Sequence, residues 1–177
     1  LVGSEMCIRD RYSISIWLRN DSPADSTWRM GFNQTVTDQP AIWIGAARDT
    51  RGLRASPLIP DGTGPELITG QWHHVVLTGD WATRTGSVYF DGQLISSGVW
   101  YEEDANHSYA GSRTWIGQQY CCGGESWIGG IDQLLIFDRE LSQSEVSVLA
   151  QSRDTSSEAD CNSNGIPDAC DLESGFS

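Results

Sequence analysis

The stretch Gln71–Gly98, QWHHVVLTGDWATRTGSVYFDGQLISSG, decides the fold. It contains three β-type runs: Trp72–Thr78, Ser87–Phe90 and Gln93–Ser97. Asp91-Gly92 joins the last two, a dipeptide that tolerates positive φ and so suits a two-residue type I′ hairpin turn. Along the first run, Trp72, His74 and Val76 share one face, and His73, Val75 and Leu77 share the other. Both faces are largely apolar, which predicts a strand covered on both sides. Such a strand belongs in the middle of an antiparallel sheet, with its neighbours laid against it.

Working outward, Ser13–Asn20 alternates, with Ile14, Ile16 and Leu18 on one face and Ser13, Ser15, Trp17 and Arg19 on the other. Trp28–Asn33 and Ala41–Ala46 read as two further strands, separated by a polar loop ending at Pro40. Residues 48–70 are rich in Gly, Pro and polar side chains and leave room for one short strand near Leu53–Ser56. Trp115–Gly117 is a short strand and Trp127–Asp138 a long one, the latter alternating Ile131, Gln133, Leu135 and Phe137 with Asp132, Leu134 and Ile136. Ser142 with Glu145 three residues on forms a capping box, predicting a short helix to about Gln151. The expected architecture is all-β: a two-sheet antiparallel jelly-roll sandwich, a short C-terminal helix and a tail.

A chain of 177 residues is long enough for one sandwich with a sizeable core and an appendage. Its formal net charge of −13 argues against nucleic acid or an anionic membrane as partner, because both would repel it. No apolar run approaches the roughly 20 residues of a membrane-spanning helix, so no membrane insertion is expected. The five cysteines, Cys7, Cys121, Cys122, Cys161 and Cys170, include no CxxC pair and fit an oxidising compartment better than a zinc site. Adjacent Cys121-Cys122 can form a vicinal disulfide, stay free or pair elsewhere. Leu1–Arg11 lacks the features of a secretory signal and resembles translated adapter sequence, so residues 1–11 are set apart from the domain expected over 12–152.

A linker over 153–159 leads to the sharpest chemical signal, DCNSNGIPDACD at Asp160–Asp171, within a segment expected over 160–177. It has the 12-residue length of an EF-hand-type loop. Asp160, Asn162 and Asn164 fall at positions 1, 3 and 5, and Gly165 at 6, where the sharp turn needs it. Ile166 offers its carbonyl at 7, with Asp168 at 9 and Asp171 at 12. Hard oxygen donors in this number favour Ca²⁺. Position 12 is Asp rather than Glu, which weakens a bidentate grip. The pattern resembles dockerin-type or thrombospondin-type-3 calcium repeats more than sensor EF-hands. Cys161 and Cys170 stand where they could bridge the loop.

The order of signals carries a wider resemblance: SIWLR, then GQWHHVVLT, GSVYFDGQLISSG, TWIGQQ and GGIDQLLIFDRELSQSEV with its short helix. In that succession the chain is similar to laminin-G-like, concanavalin A-like jelly rolls of the subgroup that resembles pentraxins, over about Tyr12–Gln151. The resemblance implies that Asp132 can help hold calcium at the sandwich rim. It also implies a strand ahead of Ser13–Asn20, and so an expected open edge here.

Catalysis is not expected. Polysaccharide hydrolases of this broad fold carry two glutamates around an aspartate on one strand face, and no ExDxE or ExDxxE motif occurs. Glu102-Glu103-Asp104 is contiguous, so its carboxylates point apart. His73 and His74, as strand neighbours, face opposite ways. Among the eight tryptophans, Trp17, Trp43, Trp72 and Trp115 fall in strands and read as packing residues. Trp81, Trp100, Tyr101 and Trp127 fall in or beside loops and are the expected sugar-stacking candidates. The expected protein is a non-catalytic, secreted or cell-surface recognition or adhesion module with a calcium-stiffened tail. Its partner would be a glycan or an extracellular protein; the alternative is a carbohydrate-binding module of a larger polysaccharide-degrading enzyme. Oligomeric state is not legible.

Overall fold

The computed structural model describes residues 11–23, 25–36, 39–100, 113–118 and 125–153, with the backbone alone at 35, 36 and 39–41. The 160–171 loop, Tyr101, all five cysteines, Glu102–Asp104 and His107 lie outside the described residues.

Nine strands are described: β1 (Arg11–Asn20), β2 (Arg29–Val36), β3 (Gln39–Ala46), β4 (Leu53–Ser56), β5 (Trp72–Asp80), β6 (Thr85–Phe90), β7 (Gln93–Val99), β8 (Arg113–Ile116) and β9 (Gly129–Phe137), followed by helix α1 (Gln143–Gln151). They form two antiparallel sheets, ordered β7-β6-β5-β1-β9 and β4-β3-β2-β8. This is the expected jelly-roll sandwich. The first strand begins at Arg11, whose Nε lies 2.9 Å from the Asp80 carboxylate, one residue inside the stretch set apart above.

β5 is the central strand of its sheet, between β6 and β1. Both its faces are covered from His73 to Asp80, as its two apolar faces require. Val75 and Leu77 join Ile14, Ile16 and Leu18 of β1 in the inter-sheet core, against Phe32, Ile42, Ile44 and Leu53 of the other sheet. Val76 and Tyr89 face outward and are covered by Leu141 and Val146. The core tolerates little change at Gly79, where an added Cβ would sit 2.5 Å from the Tyr12 ring. At the β6–β7 turn Asp91 and Gly92 take φ of 48° and 80°, the left-handed pair that a type I′ hairpin demands. The capping box of α1 is formed: Ser142 accepts from the Glu145 amide, and Glu145 reaches back to the Ser142 amide.

Two expectations need correction. The loop between the second and third strands is shorter than the sequence suggested: β2 runs to Val36 and β3 resumes at Gln39. Thr35 and Val36 are β-branched and favour extended backbone, and Pro40 is accommodated at a register irregularity. β9 starts at Gly129, not Trp127, and its alternation is broken. Between Ser15↔Leu135 and Trp17↔Asp132 the pairing skips, and Gln133 takes φ of 43°. This bulge inserts one residue and flips the side chains beyond it. Ile131 and Leu134 therefore both pack against the core.

No strand or helix among the described residues covers one side of the sandwich. Among the described residues β9 pairs only with β1, and β8 only with β2. Ile136 lies opposite Ile14 and Ile116 opposite Phe32, so both belong to core-facing rows. They are nevertheless 61% and 57% exposed.

Candidate functional site

Of the four loop-region aromatics, Trp81, Trp100 and Trp127 are among the described residues, and each packs on or in the core. Trp100 is 6% exposed and packs edge-on against Trp81 at 4.5 Å, while Trp81 lies 6.0 Å from Tyr12. Trp100 belongs to the core, so the sugar-stacking role expected of it is corrected: an indole buried there offers no face to a ligand; Trp81, partly buried, packs against the same core. Trp127 packs against the same core, with its indole N–H pointing at the carbonyls of Arg19 and Gly130. Asp132 accepts from the Gln133 amide and faces the Arg153 guanidinium at 3.8 Å. Among the described residues no group of three His, Cys, Asp or Glu side chains is placed to hold a metal. The neighbours found at Asp132 are thus an amide and a cation.

The two described histidines, His73 and His74, lie on opposite faces of β5. The Ile68 amide donates to His73 Nε2, so the ring proton sits on Nδ1 and points to Asp91 at 2.8 Å. The same carboxylate accepts from the His74 amide at 2.8 Å. Burial works to raise the Asp91 carboxyl, but the bonds from His73 and the His74 amide outweigh it and hold it below the usual range. On the opposite face the His74 ring packs at a tilt against Trp17 and meets Ser15 Oγ at 2.8 Å, and its Nδ1 has no partner among the described residues. Burial, opposed weakly by Asp91, brings His74 down to about 4.

The chemistry that the sequence did not foresee lies on the outer face of the four-stranded sheet. In AIWIG the two isoleucines face the core, so Trp43 must face out. By the same alternation Asn33 follows core-facing Phe32, Ser56 follows Ala55, and Trp115 precedes Ile116 in the row of Phe32. Register places these four side chains in one line across the sheet, Ser56↔Trp43↔Asn33↔Trp115. An aromatic and arginine ladder lies over its Trp43 end. The Arg54 guanidinium sits 3.6 Å over the Trp43 ring, Trp28 meets that ring edge-on at 5.8 Å, and Arg48 lies 4.6 Å over Trp28. Asp61 ties the ladder together, accepting from Trp28 Nε1 at 2.9 Å and from Arg54 at 3.2 Å. Farther along β2, Arg29 pairs with Asp25 at 2.7 Å. Burial raises the nearby Glu125 carboxyl, with Arg29 opposing. The signal for this face was present in the sequence: a tryptophan set between two core isoleucines is on the far side of its strand.

Among the described residues, six carboxylates are engaged by arginines. Arg19–Asp21, Arg29–Asp25, Arg51–Glu66, Arg54–Asp61, Arg11–Asp80 and Arg139–Glu145 are all ion-paired within 3.2 Å. A carboxylate bonded to a guanidinium is not free to deliver a proton to a leaving group.

A two-sheet jelly roll with an aromatic outer face defines a lectin-like class of domain. The chain belongs to the concanavalin A-like lectin/glucanases superfamily, whose family model matches residues 3–147. A rat protein with sushi, von Willebrand factor type A, EGF and pentraxin domains is 33% identical over 96 residues, half of this chain but 3% of that protein. Among solved structures, a Trypanosoma rangeli sialidase superposes over 81% of this chain and 23% of its own, with TM-score 0.57 at 22% identity. Domain 4 of an extracellular arabinanase from Geobacillus stearothermophilus, in complex with arabinotriose, matches 80% of this chain and 67% of its own, with TM-score 0.56 at 22% identity. A heptameric SAP-like pentraxin from Limulus polyphemus covers 80% and 70%, with TM-score 0.50 at 19% identity. These likenesses establish the fold and the pentraxin-like jelly roll. No helix among the described residues is long and apolar enough to cross a membrane.

Proposed function

We propose that this chain is a non-catalytic glycan-recognition module of a secreted or cell-surface protein. The observation that carries the reading is the ladder Arg48–Trp28–Trp43–Arg54 with Asp61 at its centre. Sugar rings present apolar C–H faces beside hydroxyls that both donate and accept. An indole face bordered by guanidinium donors and a carboxylate acceptor meets both needs. Trp28 is half-buried and Arg48 exposed, so a ligand can displace Arg48 from the indole without disturbing the core. The superfamily and the arabinotriose-bound arabinanase domain support a sugar as the ligand class. Pairing of the carboxylates with arginines supports recognition over hydrolysis.

The test is calorimetric titration of the whole chain with a panel of soluble neutral and acidic oligosaccharides, arabinotriose among them. Binding is expected for at least one member, weakened about tenfold or more in Trp28→Ala with the fold retained. A folded protein that binds no member of the panel would overturn the reading, and release of reducing sugar would overturn its non-catalytic half.

A further inference from the structure

Beneath the ladder, the row Ser56–Trp43–Asn33–Trp115 contains a concentration of unmet polar groups. Asn33 is fully buried, and neither its carbonyl oxygen nor its amide nitrogen has a partner among the described residues. The indole N–H groups of its two cross-strand neighbours, Trp43 and Trp115, are buried and likewise without a partner among the described residues. Buried polar atoms are hydrogen-bonded in the great majority of native proteins. Each one left unmade costs free energy that a Leu or Val in the same place would not. Four such atoms in adjacent positions of one row, three donors and one acceptor, are not a packing solution. The row is sealed at Ser56, Trp43 and Asn33 and reaches solvent at half-buried Trp115, on edge strand β8.

We propose that this row is a ligand subsite: Asn33, flanked by the Trp43 and Trp115 indoles, takes the hydroxyls of a terminal sugar residue that enters past Trp115. The proposal rests on the glycan reading above and deepens it. The row is closed in this structure, so the half-buried Trp115 side chain must swing outward to admit a ring. A chain end is implied because a ring entering there has one way out, whereas a residue within a polymer must leave in two directions. A neutral ring is implied because the row supplies amide and indole groups without a carboxylate. Hydroxyls satisfy the three donors and the one acceptor together, and the ring C–H faces lie against indole.

The test combines a stability measurement with binding and spectroscopy. Asn33→Leu removes the unmet amide, so its Tm is expected to equal or exceed that of the parent chain. Its affinity for the panel oligosaccharide that binds the parent is expected to fall about tenfold or more. In ¹H–¹⁵N spectra the same oligosaccharide should shift the indole N–H resonances of Trp43 and Trp115, assigned through Trp43→Phe and Trp115→Phe. Blocking the terminal residue of that oligosaccharide by O-methylation should abolish both effects. If the oligosaccharide binds Asn33→Leu as tightly as the parent and shifts only the Trp28 indole, the subsite is overturned while the glycan reading stands. If no oligosaccharide binds the parent, the glycan reading fails and the subsite with it. If Asn33→Leu loses stability, the amide is doing structural work through bound water, and the subsite is overturned.

Discussion

At the scale of single residues, two polar side chains, one buried and one exposed, decide how this protein responds to conditions. His74 is 1% exposed, donates to or accepts from Ser15 through Nε2, and has no partner at Nδ1 among the described residues. Protonation would bury an unpaired N–H and a positive charge, which is why its pKa falls from the ordinary histidine value to about 4. The unfolded chain binds this proton more readily, so stability declines as pH falls from about 6.5 and levels off below about 4. The loss amounts to about 3 kcal/mol. Urea denaturation between pH 7 and pH 4 should show it, and His74→Phe should flatten that part of the profile. Asp91 supplies the second case. Its carboxylate accepts from the His73 ring and the His74 amide, so Asp91→Ala leaves two largely buried donors unmade. A loss of about 2–3 kcal/mol in unfolding free energy is expected, with Asp91→Asn recovering part of it through its remaining acceptor oxygen.

At the scale of elements, legibility followed periodicity. β5 could be read because every residue of it obeys a two-fold pattern with apolar groups on both faces, and the Asp91-Gly92 turn because left-handed backbone at two successive residues restricts the choice of side chain. The capping box was equally direct, since it is a local contact between Ser142 and Glu145. Its carboxylate is held at about 2, first by the hydrogen bond from Arg139 and then by the Ser142 amide and hydroxyl. The cap therefore stays ionised well into acid. Ser142→Ala is expected to cost about 1 kcal/mol, detectable as earlier loss of helix signal and a lower denaturation midpoint. What escaped reading were features set by tertiary pairing. The β9 bulge at Gln133 exists because β1 and β9 must both satisfy the core, and nothing local announces it. The Ser56–Trp43–Asn33–Trp115 row depends on the register of three strand pairs. Trp81 and Trp100 misled for the converse reason. Their loop positions suggested exposure, but the ends of β5 and β7 bring both rings to the core margin.

At the scale of the whole molecule, two features lie outside the recognition face. The first is the tail, where we propose that Asp160, Asn162, Asn164, Ile166, Asp168 and Asp171 bind Ca²⁺. Titration of the whole chain should give heat with a dissociation constant on the order of 0.1–1 mM, abolished in Asp160→Ala; its absence at millimolar Ca²⁺ would refute the assignment. The second is the open side of the sandwich. Ile116 and Ile136 occupy core-facing rows yet stand more than half exposed, beside strand edges that have no further partner among the described residues. Such an edge invites pairing with another chain, and proteins usually blunt it with charge. Here the global charge of −13 does part of that work, since two copies repel each other. This protection is electrostatic and therefore screened: the Debye length falls from about 10 Å at 0.1 M salt to about 3 Å at 1 M. Association measured by light scattering should accordingly increase with NaCl concentration. Ile136→Lys, which places a charge on the edge without removing a covered core contact, should suppress that increase while leaving Tm within about a degree or two, as expected for a change at an exposed site. Scattering that is independent of salt, or equal in the two proteins, would mean that this side is closed in solution.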